Sequence, residues 1–135
     1  MAETKHVVLD WDGDLRFRGG APGGPTLALD GDSAAAPSPM EALLLAVASC
    51  SAADVVLILG KMQAGLESLR VEVAGLRREE QPRRYTEIDL VFHVRGTGVD
   101  ETKARRAIDL SLEKYCSVVH SLAPDIRIGY ELRLG

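Results

Sequence analysis

Two sulfur atoms are the reactive groups that this chain offers. Cys50 and Cys116 are its only cysteines, 116 − 50 = 66 positions apart, and neither belongs to a C-x-x-C pair of the kind that clips a zinc ion. Only His6, His93 and His120 could add nitrogen ligands, so no metal site is expected. Two thiols within disulfide reach can instead cycle between dithiol and disulfide. The plainer alternative is a pair of buried cysteines that act as small hydrophobes in a reducing compartment. Spacing alone leaves both open.

A working thiol makes demands on its surroundings. Apolar burial raises a thiol's pKa and makes it inert, so a reactive Cys50 needs a cation or hydrogen-bond donors beside it. Arg16 and Arg18, next to a Gly-rich segment, are the basic candidates, whereas Lys114 points to another side of its helix than Cys116. Asp54, one turn after Cys50, opposes a thiolate unless it pairs with an arginine. His120 comes one turn after Cys116 and is within reach as a base, although a surface histidine is the plainer reading. Trp11 and Tyr115 read as packing residues.

Pattern sets the elements that must position these groups. "HVVLDW", "DLRFRG" and "TLALDG" are short apolar runs separated by turn residues, hence strands. "GGAPGGP" between them is too rich in Gly and Pro for a regular element. Ser38, Pro39 and Glu41 form a helix-start signal, with Ser38 as N-cap and Glu41 as its capping-box partner. The helix that begins there carries "EALLLAVASCSAADVVLILGK" and is expected to last until about Lys61 to Gly65, with Gly60, Lys61 and Gly65 as its stop. At about 100° per residue, Leu43, Val47, Cys50, Asp54, Leu57 and Lys61 share one side, and Leu45, Ala48, Ala52, Val56 and Leu59 the other. Both sides are apolar, so the helix must be covered all round. Ser49, Ser51 and Asp54 argue against lipid as the cover. A second copy of the chain is the expected cover, giving an obligate homodimer with the long helices near its axis.

"LESLRVEVAGLRRE" and "RYTEIDLVFHVRG" alternate with period two and read as a hairpin joined at "EEQPR". A second helix is predicted from about Asp100 to Leu122, amphipathic through Ala104, Ala107, Ile108, Leu112, Cys116 and Val119, and after it the strand "DIRIGYELRL". The order β-β-β-α-β-β-α-β makes an α+β fold. With 135 residues, the whole of 1–135 is expected to be a single domain. The net charge of −4, from 16 Lys+Arg against 20 Asp+Glu, supplies no basic stripe for nucleic acid. "MAETKHVVLDWDGD" lacks the basic-then-apolar order of a signal peptide, so a cytoplasmic protein is expected.

With a thiol in the "SPMEALLLAVASC" helix and a second late in "EKYCSVV", nearly the whole chain resembles the OsmC/Ohr family, and most closely its OsmC-like branch. The resemblance implies the OsmC-like fold, an intertwined homodimer with the long central helices at its axis, and two equivalent active sites at the subunit interface. It implies a thiol-dependent peroxidase that reduces organic hydroperoxides in oxidative-stress defence. In that reading Cys50 attacks the peroxide, Cys116 resolves the sulfenic acid as a disulfide, and a dithiol such as a lipoyl group reduces it, with no metal or cofactor. An arginine beside the thiolate is also implied, with Arg18 the first choice and Arg16 the second, oriented by a glutamate. In the family's peroxidases that glutamate comes directly after the proline of the helix start. Here Met40 holds the place and Glu41 comes next. About 900° of helical rotation puts Glu41 opposite Cys50 in its own chain, so capping is its better-supported role. "CSVV" also lacks the proline that often comes after the second cysteine. An apolar lining suits an organic hydroperoxide. The alternative expectation is a non-peroxidatic protein that binds a small apolar ligand or senses redox state through the same thiols.

Overall fold

The structure, a computed structural model, describes residues 2–135. It contains two compact units, one ending at Leu43 and the other running Leu44–Gly135. The first holds an antiparallel sheet of β1 (Val8–Trp11), β2 (Arg16–Gly20) and β3 (Leu27–Asp30), in that order. The Gly-rich segment expected to lie wholly outside regular structure begins inside β2, where Gly19 and Gly20 pair with Leu9 and Val8. Glycine is required there, because a Cβ on Gly20 would sit 2.2 Å from the carbonyl oxygen of Pro25. Trp11 is not a packing residue in its own unit: it is 68% exposed, and its indole Nε1 donates to the Asp14 carbonyl at 2.8 Å.

α1 (Pro39–Lys61) starts at the expected place and carries on into the second unit. Its N-terminus is a reciprocal capping box. The Glu41 amide donates to Ser38 Oγ at 3.1 Å, and the Ser38 amide donates to Glu41 Oε1 at 2.9 Å, which satisfies two N–H groups that the first turn would otherwise leave bare. The helix ends at Lys61, within the expected range, but the residue that closes it is not a glycine. Gln63 takes the left-handed conformation at φ 59°, Gln63 N donates to Gly60 O and Ala64 N to Leu59 O, and this double bond pattern closes the helix as a Schellman motif.

β4 (Gly65–Arg77) and β5 (Tyr85–Thr97) form the expected antiparallel hairpin, and β6 (Arg127–Leu134) adds to β5 in parallel. The alternation works as read. Ile88, Leu90, Phe92 and Val94 are buried on one face, opposite the half-buried Val73, Val71 and Leu69 of β4. Each large apolar side chain so buried contributes roughly 1.5–3 kcal/mol. A parallel strand pair needs a crossover, and here the crossover carries the second thiol.

The second helix is not continuous. α2 (Glu101–Leu110) is capped by Asp100, whose carboxylate accepts the Lys103 amide at 2.8 Å. It buries Ala104, Ala107 and Ile108 and is tied to β6 by the Tyr130 hydroxyl, which donates to Asp109 at 2.7 Å. The Tyr130 ring meets Phe92 edge-on at 6.1 Å. Ser111–Tyr115 then widens into a π-helical turn, Cys116 is extended (φ −71°, ψ 101°), and α3 (Ser117–His120) is a single short turn. The periodic apolar positions hid this break, because a π turn inserts one residue without disturbing the pattern on either side of it.

Candidate redox site

Cys50 lies on α1 at the edge of the stripe that its own unit buries. Val47, Val55 and Leu59 are 0% exposed and Ser51 joins them, at i, i+4, i+8 and i+12. Cys50, beside that stripe, is half-buried, whereas Cys116 is fully buried. By length and composition α1 could cross a membrane. The buried stripe, together with the hydrogen bond that Asp54 accepts from Ser111, makes it instead a core helix of this unit.

The break in the second helix puts Cys116 beside Cys50. The Cys116 amide donates to Ser111 O at 2.7 Å, five residues back, and its Sγ caps α3 by accepting the Val119 amide at 3.5 Å. Cys50 is near enough to Cys116 to perturb the Cys116 thiol. The Cys116 thiol is pushed up to about 11, first by burial and then by the neighbouring Cys50, against the opposing Val119 and Val118 amides. Cys116 is therefore the partner held as a neutral thiol.

Beneath the thiols lies a polar cluster. Ser51 and Ser111 are both 0% exposed. Ser111 Oγ is 3.0 Å from Ser51 Oγ and 2.9 Å from Asp54 Oδ2. A hydroxyl has a single proton to give, and the carboxylate is the stronger acceptor. Ser111 accordingly donates to Asp54, and Ser51 donates to Ser111. The partner that Asp54 meets here is a hydroxyl and not the arginine that would relieve its opposition to a thiolate. Ser111 went unnoticed in the sequence, although its signal was there: a hydroxyl at a core position of a helical pattern, between Ile108 and Leu112.

Arg18, Arg16 and Glu41 fall in the first unit. Arg18 grips Asp12, with Nε to Oδ2 at 2.6 Å and Nη2 to Oδ1 at 3.2 Å, and this guanidinium holds the Asp12 carboxyl below its ordinary pKa. Arg16 lies 3.7 Å from Asp14. The Glu41 carboxylate accepts from the Ser33 hydroxyl and the Ser38 amide, and these bonds hold it below its ordinary pKa. Glu41 thus faces the cap of its own helix. His120 is exposed, and Tyr115 is half-exposed beneath the Lys114 ammonium at 5.2 Å.

One thiol on a long apolar helix and a second at the break in the crossover of a mixed sheet define a protein class with known relatives. Residues 30–131 match the family model described as OsmC-like protein, and the chain belongs to the OsmC-like family. It is 43% identical over 123 residues to protein YhfA of Escherichia coli (strain K12), covering 90% of this chain and 92% of that protein. A hypothetical protein from Aquifex aeolicus VF5 superposes with a TM-score of 0.85 at 30% identity, over 99% of each chain. The organic hydroperoxide resistance protein OhrB of Bacillus subtilis shares the fold at 14% identity, with a TM-score of 0.61 over 98% of each chain. The α+β architecture with its long central helix is thus the OsmC-like fold.

Proposed function

We propose that this protein is a thiol-dependent peroxidase for organic hydroperoxides, acting in oxidative-stress defence in a reducing, cytoplasmic setting, with Cys50 and Cys116 as its redox pair. The observation that carries the reading is the nearness of the two thiols, a half-buried Cys50 beside a buried Cys116 held neutral. The two then differ in role. Cys50 sulfur, as a thiolate, attacks the terminal oxygen of ROOH. The O–O bond breaks, the alkoxide takes up a proton and leaves as alcohol, and the sulfur is oxidised by two electrons to sulfenic acid. Cys116 sulfur then attacks Cys50 sulfur, the S–O bond breaks, and the hydroxide leaves with the thiol proton as water. A small dithiol restores the pair by exchange.

The assembly in this reading is a homodimer. Along α1, Leu45, Val56 and Leu57 are 54%, 47% and 64% exposed, on the side away from the buried stripe. Val8, Leu9 and Leu27 of the first unit are also exposed and line an open apolar groove of about 480 Å³. Surfaces of this kind, left open by one chain, fit cover by a second copy. Arg18, oriented by Asp12, is the cation that the reading assigns to the Cys50 thiolate. Glu41 enters only through the helix start that it caps.

The test uses the reduced protein and cumene hydroperoxide. Loss of both thiols with release of one equivalent of alcohol is expected, and Cys50→Ser should consume none. Persistence of both thiols, or turnover by Cys50→Ser at the wild-type rate, would overturn the proposal.

A further inference from the structure

We infer that Asp54 and Ser111 are positioning residues for disulfide formation, a hydroxyl-to-carboxylate link that holds the Cys116 turn against α1 so that the second sulfur stays in line with the first. The inference rests on the reading of Cys50 and Cys116 as a redox pair.

Three observations lead to it. Ser111 is the residue through which both halves of the site are joined. Its carbonyl accepts the Cys116 amide at 2.7 Å, which fixes where the π turn ends, while its hydroxyl reaches α1 at Asp54 and Ser51. Both anchor points on α1 are tied to Cys50 by the helix itself, since Ser51 is the next residue and Asp54 lies one turn on along the same side. Finally, the hydroxyls are fully buried. A buried polar group is costly without a partner, and a shared polar contact fixes one helix rotation and register where plain apolar packing would tolerate several.

A π turn is a widened, weakly bonded segment, so the five residues before Cys116 need an external tether if their end point is to be defined. Apolar neighbours of Cys116 can bury its sulfur but do not fix its direction. The Ser111–Asp54 bond supplies that direction. It is charge-assisted, hence roughly twice as strong as a neutral one. Ser51 completes the chain by donating a hydrogen bond to the Ser111 oxygen, whose own proton is directed to the carboxylate.

The full-length protein equilibrated in glutathione redox buffers provides the experiment, with the Cys50–Cys116 disulfide read by mass spectrometry of the alkylated protein. Asp54→Ala and Ser111→Ala should shift the wild-type equilibrium towards the dithiol by about tenfold, the scale of a hydrogen bond to a charged group. Asp54→Asn keeps an oxygen acceptor in the same place and should stay within about threefold of wild type. With cumene hydroperoxide, the two alanine variants should still form the Cys50 sulfenic acid, trapped by dimedone, but hold it longer. Equal equilibria for wild type and both alanine variants would overturn the inference, as would an Asp54→Asn variant as impaired as Asp54→Ala. Loss of fold in both alanine variants, monitored by circular dichroism, would assign the cluster to stability alone and also overturn it. A wild-type protein that forms no intramolecular disulfide in oxidised glutathione would instead bring down the redox-pair reading itself.

Discussion

Cys116 donates its amide proton to the carbonyl of Ser111 at 2.7 Å, and this five-residue bond sets the second thiol on a break in the helix instead of on its flank. The extra residue of the π turn therefore decides which way the sulfur points. Deleting the exposed Glu113 should restore ordinary helical bonding and rotate the chain beyond the turn, Cys116 included, by about 100°. The expected outcome is a folded protein that no longer forms an intramolecular disulfide in oxidised glutathione, as read by non-reducing mass spectrometry.

The buried thiol makes stability depend on pH at the alkaline end. Folding raises Cys116 from its ordinary 9.0 to about 11, so between those values the native state binds more protons than the unfolded one. The contribution is complete below about pH 9 and is lost as pH rises through about 11, on the order of 2 kcal/mol in total. Urea midpoints of the reduced protein at pH 8, 9.5 and 10.5 should fall with pH. Cys116→Ala should show a shallower fall.

The helix start offers an acid-side counterpart. Hydrogen bonds from Ser33 and Ser38 hold the Glu41 carboxyl below its ordinary value, so its contribution is present above the unfolded value of about 4.5 and is lost as pH falls through the lower folded value. Glu41→Gln should flatten the acid limb of a thermal-stability profile. Ser38→Ala removes the N-cap oxygen and should cost about 1 kcal/mol, measured by urea denaturation.

Leu57, 64% exposed on α1, is the side chain with most to gain from a second copy. Leu57→Glu should convert the proposed dimer into monomers in sedimentation equilibrium, with wild type expected to stay dimeric into the nanomolar range. A wild-type protein that sediments as a folded monomer at micromolar concentration would remove the assembly from the proposal.

Asp12 and Arg18 form a two-pronged ion pair, which makes Asp12 the carboxylate that orients this arginine. In the proposed mechanism Arg18 is the cation for the Cys50 thiolate, so Arg18→Gln should slow sulfenic acid formation by about a hundredfold, and Asp12→Asn should slow it less. Arg16→Gln should leave the rate unchanged. Dimedone trapping at a fixed time after peroxide addition reads all three.

Elements with a clear period were legible from the residues. The alternation of Ile88, Leu90 and Phe92 gave the core strand, and Ser38 with Glu41 gave the helix start, because both signals are local. What escaped was non-local or a matter of one residue. The π turn leaves the apolar spacing before and after it intact, so Cys116 looked like the flank of a continuous helix. Ser111 meets Asp54 across 57 positions of sequence, a pairing that no local pattern encodes. Gln63 closes α1 in a left-handed conformation usually left to glycine, which drew attention to Gly60 and Gly65 instead. The capping of Glu41 was readable, whereas the grip of Asp12 on Arg18 depends on the turn between β1 and β2.

Both long strands, β4 and β5, lie between Cys50 and Cys116 in the chain. A bond between the sulfurs would make the hairpin part of a covalent ring, and the unfolded chain would lose the freedom of a closed loop of that length, roughly 4 kcal/mol by chain-entropy arguments. Oxidation would thus leave a mark beyond the thiols themselves. The peroxide-treated protein would melt later and resist proteolysis longer than its reduced form, so that its durability would record its recent exposure.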